Sequence, residues 1–139
     1  LFPFSQSAPP PPPRPPPPLL VMAVGALLYA AGIAGMALSS TFPHFALSMA
    51  VMTLGELVVI PTSTTFAANL APVQLRARYM SFYNLGWGIS HGFGPVVGGI
   101  LNDAIAPVAI WWGGMAWGLT GAIMFLLMRR RLRKTEAET

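Results

Sequence analysis

The chain has 139 residues, and its composition is far more apolar than that of a soluble domain. Hydrophobic residues make up 54% of it and charged residues only 9%, against roughly a quarter in soluble proteins. The absence of cysteine excludes disulfide frameworks, thiolate metal sites and cysteine nucleophiles. The net charge of +4 comes from short basic clusters at the ends of apolar runs, which favours membrane lipid as a partner over nucleic acid.

The first segment, residues 1–18, is rich in proline and predicts no packed structure. Its tract PPPPPRPPPP lacks backbone N–H donors, so it favours extended polyproline II or disorder. A ligand for an aromatic-grooved adaptor domain, a spacer and a misread gene start remain alternative interpretations. Because the segment has neither an initiator Met nor a signal-peptide pattern, we expect the chain to be a fragment.

Four apolar runs follow, and each is long enough to cross a bilayer as a helix. A hydrocarbon core of about 30 Å needs about twenty helical residues, whereas a barrel strand needs only about ten with alternating polarity. The sequence therefore predicts an all-α membrane protein with a four-helix transmembrane bundle. The predicted spans are 19–40, 45–70, 79–101 and 107–128. Pro61 removes a backbone donor in the second span and predicts a bend there.

The positions of Lys and Arg predict the orientation of these helices. Arg76 and Arg78 lie between the second and third spans, and a basic tail, 129–139, follows the fourth. The connections on the opposite side carry neither Lys nor Arg. By the positive-inside rule the basic loop and the C-terminus face the cytoplasm, which places a multi-pass protein in the cell membrane.

The third predicted helix is unusually rich in glycine. Several glycines share one face at 100° per residue, and such a flat face lets two helices approach closely in lipid. A proline within this run adds a flexible point. We expect these residues to serve helix packing or gating, with static packing as the alternative: Gly88, Gly92, Gly94, Pro95, Gly98 and Gly99.

The stretch GELVVIPTSTTFAANLAPVQLRARYMSFYNLGWGISHGFGPVVGGILND resembles the penultimate helix pair of major facilitator superfamily transporters, especially proton-coupled multidrug exporters. Within it, GPVVGG, residues 94–99, is similar to the C-half counterpart of the glycine-proline antiporter motif of that family. The likeness extends over about 19–133 and implies that the four spans are the ninth to twelfth of twelve. It also implies a gating role in interdomain salt bridges for Arg76 and Arg78, with membrane orientation alone as the alternative.

Glu56 is the only charged residue between Arg14 and Arg76, and it lies deep in the second span. A carboxylate there costs on the order of 3 kcal/mol on insertion scales, so it is expected to face protein or water. The resemblance implies that this helix borders the central cavity. Because desolvation favours protonation of a carboxylate, we expect Glu56 to bind a proton or a cationic substrate there. Candidate binding residues are Glu56, Met52, Thr53, Ser63 and His91. The alternatives are a structural carboxylate and a histidine that makes one interhelical hydrogen bond.

The sequence contains no phosphate-binding loop, no metal-ligand spacing and no Ser/His/Asp arrangement, so we expect no enzyme activity, no cofactor and no metal. The predicted function is that of a C-terminal fragment of a secondary transporter. It would export small amphipathic compounds in exchange for protons by alternating access. Its partners would be lipid, substrate, protons and the remaining transporter helices. The alternatives are a self-contained four-helix membrane scaffold and an inactive truncated gene product.

Overall fold

The computed structural model describes residues 17–137, and side chains up to 132; within this part the chain is all-α. Four helices confirm the predicted fold class. They are α1 (Pro18–Ala37), α2 (Phe42–Leu70), α3 (Arg76–Ala104) and α4 (Ala109–Ala137), with a short 3-10 turn, Val73–Leu75, before α3. Residues 1–16 of the predicted proline-rich segment, 1–18, lie outside the described part of the chain.

The helix ends follow the local chemistry and differ in places from the predicted spans. Pro18 and Pro43 lie in the first turns of α1 and α2. The N–H groups of a first turn have no acceptor within the helix, so proline costs no hydrogen bond there. Pro107, expected to open α4, lies instead in the turn before it. The helix then continues beyond Met128 to Ala137, since Arg, Leu, Lys, Glu and Ala all favour helix.

Helix α1 forms the centre of the bundle and packs against both α2 and α4. Almost all the buried apolar side chains belong to it: Leu19, Met22, Ala23, Ala26, Ala30, Ile33 and Met36. By contrast, α3 packs only lightly on α2 and α4 and does not contact α1. The chain therefore consists of a tight three-helix unit with a fourth helix loosely attached.

Glycine lets α1 and α2 approach closely. A Cβ atom added to Gly32 would lie 2.5 Å from the backbone nitrogen of Met52, which no side chain tolerates. A Cβ on Gly55 would lie 2.7 Å from the carbonyl oxygen of Gly25 and 2.6 Å from the backbone nitrogen of Tyr29. The two backbones are thus in direct contact, the arrangement that small residues permit between helices in lipid.

The contact between α1 and α4 is also built on small residues. A Cβ on Gly118 would lie 3.0 Å from the Cβ of Ala30, and one on Gly114 would lie 3.3 Å from Ile33. At the end of the bundle, the rings of Phe45 and Trp111 meet edge to face with centroids 6.0 Å apart. This aromatic pair joins α2 to α4 across the end of α1.

Three of the described helices are long and apolar enough to cross a membrane: α1, α2 and the part Ala109–Leu132 of α4. Helix α3 is as long as α2. Its glycine, serine, asparagine and histidine residues lower its hydropathy, and it is not among the three. That α3 also spans the membrane stays a prediction.

Candidate functional site

Glu56 is half-buried on α2, at the point where α2 touches α1. Its neighbour Gly55 lies against the backbone of Tyr29, and the Tyr29 phenol is within electrostatic range of the Glu56 carboxylate. Among the side chains that the structure describes, up to residue 132, the carboxylate has neither a hydrogen-bond partner nor an ion pair.

A groove of about 220 Å³ opens beside Glu56 on the surface of α2. Its lining residues are Thr53, Glu56, Leu57, Ile60 and Pro61. The hydroxyl of Thr53 donates to the carbonyl oxygen of Met49 at 3.0 Å, so it is held against its own helix. The groove therefore combines an apolar wall with one acidic group, and no basic side chain among the described residues lines it.

The turn after Pro61 is stabilised by side-chain hydroxyls. Thr62 donates to the carbonyl oxygen of Val58 at 2.6 Å. Ser63 and Thr64 donate to the carbonyl oxygen of Ile60 at 3.0 Å and 2.9 Å. These hydrogen bonds support the helix where proline interrupts its backbone ladder.

Tyr83 links α3 to α2 at this turn. Its hydroxyl lies 2.9 Å from Ser63 Oγ and 3.2 Å from Thr64 Oγ1. Because both of those hydroxyls donate to the Ile60 carbonyl, the Tyr83 O–H is the donor that the two oxygens share. Ser63, predicted as a substrate ligand, is thus part of a hydrogen-bonded joint between two helices.

The other predicted binding residues lie apart from one another. The backbone and Cβ of Met52 face Gly32 of α1, so this residue lies at the helix contact and does not line the groove. His91 is exposed on α3, with Nδ1 2.9 Å from the carbonyl oxygen of Trp87 and its ring 5.7 Å from the Trp87 ring. No hydrogen bond or ion pair joins His91 to Glu56 in the described chain. Of the five predicted residues, only Thr53 and Glu56 line this groove.

The glycine face of α3, formed by Gly88, Gly92 and Gly99, is open, and so is the other side of the helix at Gly94 and Gly98. Around Gly88, Gly92, Gly94, Gly98 and Gly99, no atom outside the local helix backbone lies within 4 Å of where a Cβ would be. Pro95 lies within the helix without ending it. The predicted close packing of this face is therefore not made by the described residues, and it stays a prediction about helices beyond them.

Arg76 and Arg78 lie at the start of α3 and are both exposed. Neither has a hydrogen bond or ion pair within the part of the chain that the structure describes. Their predicted gating role is therefore neither supported nor contradicted by an internal contact.

Sequence reasoning missed two tyrosines that the structure brings to the site. Tyr83 lies seven residues after the start of α3, and Ser63 lies seven residues before the end of α2. In two antiparallel helices joined by a loop, residues equally far from the loop lie side by side. The equal spacing could therefore have predicted the contact between Ser63 and Tyr83. Tyr29 had no comparable signal, because its position depends on the contact between Gly25 and Gly55.

Comparison with known proteins identifies related sequences over most of the chain. The profile of the Major Facilitator Superfamily matches residues 17–139. The uncharacterized MFS-type transporter YhjO of Bacillus subtilis is 36% identical over 75 residues, covering 54% of this chain and 19% of that protein. Multidrug resistance protein MdtH of Aeromonas salmonicida is 32% identical over 105 residues, covering 75% of this chain and 26% of that protein.

A third relative, the uncharacterized MFS-type transporter YdeE of Escherichia coli, is 28% identical over 91 residues, covering 65% of this chain and 23% of that protein. The chain thus spans about a quarter or less of the curated relatives it matches. No solved structure matches it.

Proposed function

This chain belongs to the major facilitator superfamily, and we propose that it forms the last four helices of a twelve-helix secondary transporter. The transporter exports small amphipathic compounds in exchange for protons. Similarity to a multidrug resistance protein, MdtH, supports the choice of substrate. In such carriers, two helix bundles rock around a site near the middle of the membrane and expose it to each side in turn.

The observation that carries this proposal is the position of Glu56. It is the only acidic residue in the predicted spans, it lines an apolar groove, and it has no hydrogen bond or ion pair in the described chain. An acid that costs about 3 kcal/mol to insert into the membrane, and that has no hydrogen bond or ion pair among the described residues, is best explained by a ligand.

Glu56 couples proton and substrate because the two compete for one carboxylate. Protonation removes the charge and suits the apolar wall of Ile60 and Leu57. A cationic substrate stabilises the ionised form instead. Occupation by one therefore excludes the other, which is the requirement for exchange of a proton against a cation.

The remaining predicted features complete this proposal. Arg76, Arg78 and the basic tail 129–139 face the cytoplasm. The basic residues of the tail lie against anionic lipid, each contributing about 1 kcal/mol near the surface. The open glycine face of α3 receives a helix from the preceding part of the transporter. The protein is then a multi-pass protein of the cell membrane with its C-terminus inside.

Substitution of Glu56→Gln in the full-length transporter tests the proposal. We expect proton-driven transport of a lipophilic cation into everted membrane vesicles to fall to background, because glutamine neither ionises nor takes up a proton. Asp103→Asn is the matched control, since Asp103 lies near the end of α3, hydrogen-bonded to Asn102. Unchanged proton-coupled transport by the Glu56→Gln protein, at equal membrane abundance, would refute this function.

A further inference from the structure

We propose that Tyr29 is a positioning residue for Glu56: its phenol O–H donates to the ionised carboxylate while neither a proton nor a substrate occupies it. This inference rests on the proposed function and adds to it the residue that makes exchange possible. Exchange passes through such an empty state, because the proton leaves before the cation arrives. An ionised carboxylate in apolar surroundings is unfavourable without a donor, and α1 carries one beside it.

Tyr29 and Glu56 lie at the same depth in the bundle. A Cβ atom on Gly55, the residue before Glu56, would lie 2.6 Å from the backbone nitrogen of Tyr29 and 3.0 Å from its Cα. Since consecutive Cα atoms are about 3.8 Å apart, the Cα atoms of Tyr29 and Glu56 are within about 8 Å of each other. Tyrosine and glutamate side chains span that separation in ordinary staggered rotamers.

Tyr29 lies on the side of α1 that is turned toward both neighbouring helices. Gly25 and Gly32 of α1 face α2, whereas Ala30 and Ile33 face α4. At 100° per residue, Tyr29 lies between these two directions. Its side chain therefore belongs to the cleft between α2 and α4.

Glu56 lies on the side of α2 that is turned toward α4. The ring of Phe45 on α2 meets Trp111 of α4 edge to face. Glu56 follows Phe45 by eleven residues, about three turns, and lies within about 20° of the same direction. Tyr29 and Glu56 thus border the same cleft, in agreement with the electrostatic interaction between the phenol and the carboxylate.

No other described group competes for this pair. Neither Tyr29 nor Glu56 has a hydrogen bond or ion pair with a described side chain. Helix α1 has no second ionisable side chain, and α4 has none before Arg129. On α3, Tyr83 is bonded to α2 two turns from Glu56, and His91 lies against its own helix. The other ionisable side chains of α3 lie near its two ends: Arg76, Arg78, Tyr79 and Asp103.

The donor affects the pH at which a cation can replace the proton. A hydrogen bond to the ionised form of an acid favours that form. Without the Tyr29 hydroxyl, the proton is therefore displaced only at higher pH. A role of Tyr29 in helix packing alone would instead change the affinity for the cation at every pH.

Equilibrium binding of tritiated tetraphenylphosphonium to the full-length transporter, measured as a function of pH in a scintillation proximity assay, tests this inference. The cation has no titratable group, so any pH dependence of its binding belongs to the protein. Tyr29→Phe should move the pH of half-maximal binding upward by about one unit, the loss of one charge-assisted hydrogen bond. Affinity at the alkaline plateau should not fall, because the carboxylate is already ionised there.

Tyr79→Phe is the matched control. It removes the same hydroxyl from an exposed tyrosine that has no hydrogen bond in the described chain, so its midpoint should equal that of the wild type. Tyr29→Leu also lacks the donor and replaces Tyr29→Phe if the phenylalanine variant fails to accumulate. Glu56→Gln should abolish the pH dependence, because glutamine does not titrate.

The outcomes distinguish this inference from the proposed function. An unchanged or lowered midpoint in Tyr29→Phe, an equal shift in Tyr79→Phe, or weaker binding at every pH overturns the inference. Transport that requires Glu56, with a midpoint insensitive to Tyr29→Phe, overturns the inference alone. The expected shift without proton-coupled transport refutes the proposed function alone. A wild type that does not bind the cation, or pH dependence that persists in Glu56→Gln, overturns both.

Discussion

Helices α1 and α3 are both rich in glycine, yet only the glycines of α1 lie at helix contacts. In α1, atoms of α2 lie within 3 Å of a Cβ placed on Gly25, Gly32 or Gly35. In α3, no atom of another described helix lies within 4 Å of such a Cβ on Gly88 or Gly92. A high glycine content therefore indicates that a second helix can approach closely. Whether one does depends on the position of the neighbouring backbone.

The sharpest test of this comparison makes one substitution in both helices. Gly32→Ala places a methyl group against the Met52 backbone and should lower the free energy of unfolding by about 2–3 kcal/mol. Gly92→Ala meets open space and should raise it by up to about 1 kcal/mol, since alanine favours helix over glycine. Both values are measured by denaturant titration of the 139-residue chain in detergent micelles, followed by circular dichroism. Effects of the same sign would contradict the comparison.

A smaller change in the free energy of unfolding is expected from a substitution at the contact between α3 and α2. Tyr83→Phe removes the shared O–H donor to Ser63 and Thr64 and should lower the free energy of unfolding by about 1 kcal/mol. Tyr79→Phe is the control, because Tyr79 is 47% exposed and has no hydrogen bond in the described chain. Equal losses from the two variants would show that the Tyr83 hydroxyl does not hold α3.

The smallest effect is expected at the aromatic pair that joins α2 to α4. Phe45→Leu keeps an apolar side chain but loses the edge-to-face contact with Trp111, which should reduce the free energy of unfolding by about 0.5 kcal/mol. Phe42→Leu is the control, since Phe42 is 82% exposed at the start of the same helix. A larger loss from the control, in the same unfolding assay, would be evidence against the pair.

The sequence predicted the four helices because their apolar runs are long and separated by short polar turns. It did not predict that α1 would be central. Every face of α1 is apolar, so helical periodicity cannot show which side meets a neighbour. The basic end of α4 was predicted as a tail because its charge ends the apolar run, yet its residues favour helix through Ala137.

The candidate site was predictable only in part. A lone acid in an apolar run points to Glu56, and helical spacing groups Thr53 with it; both residues line the same groove. Met52 satisfied the same spacing but lies at the edge that faces α1, because the direction of α2 is set by contacts such as Gly55 with Tyr29. Spacing along one helix defines a face, whereas the neighbour of that face depends on the other helices.

The attachment of α3 at two distant places has a thermodynamic consequence. Tyr83 holds it to α2, and Leu101 touches Gly113 of α4, 18 positions further along. Roughly 27 Å of helix lies between these points. Free energies of local opening follow the density of buried contacts, so this middle stretch of α3 separates from the chain well before α1 does. Among the described helices, the least firmly held segment is therefore the glycine-rich middle of α3, between Tyr83 and Leu101.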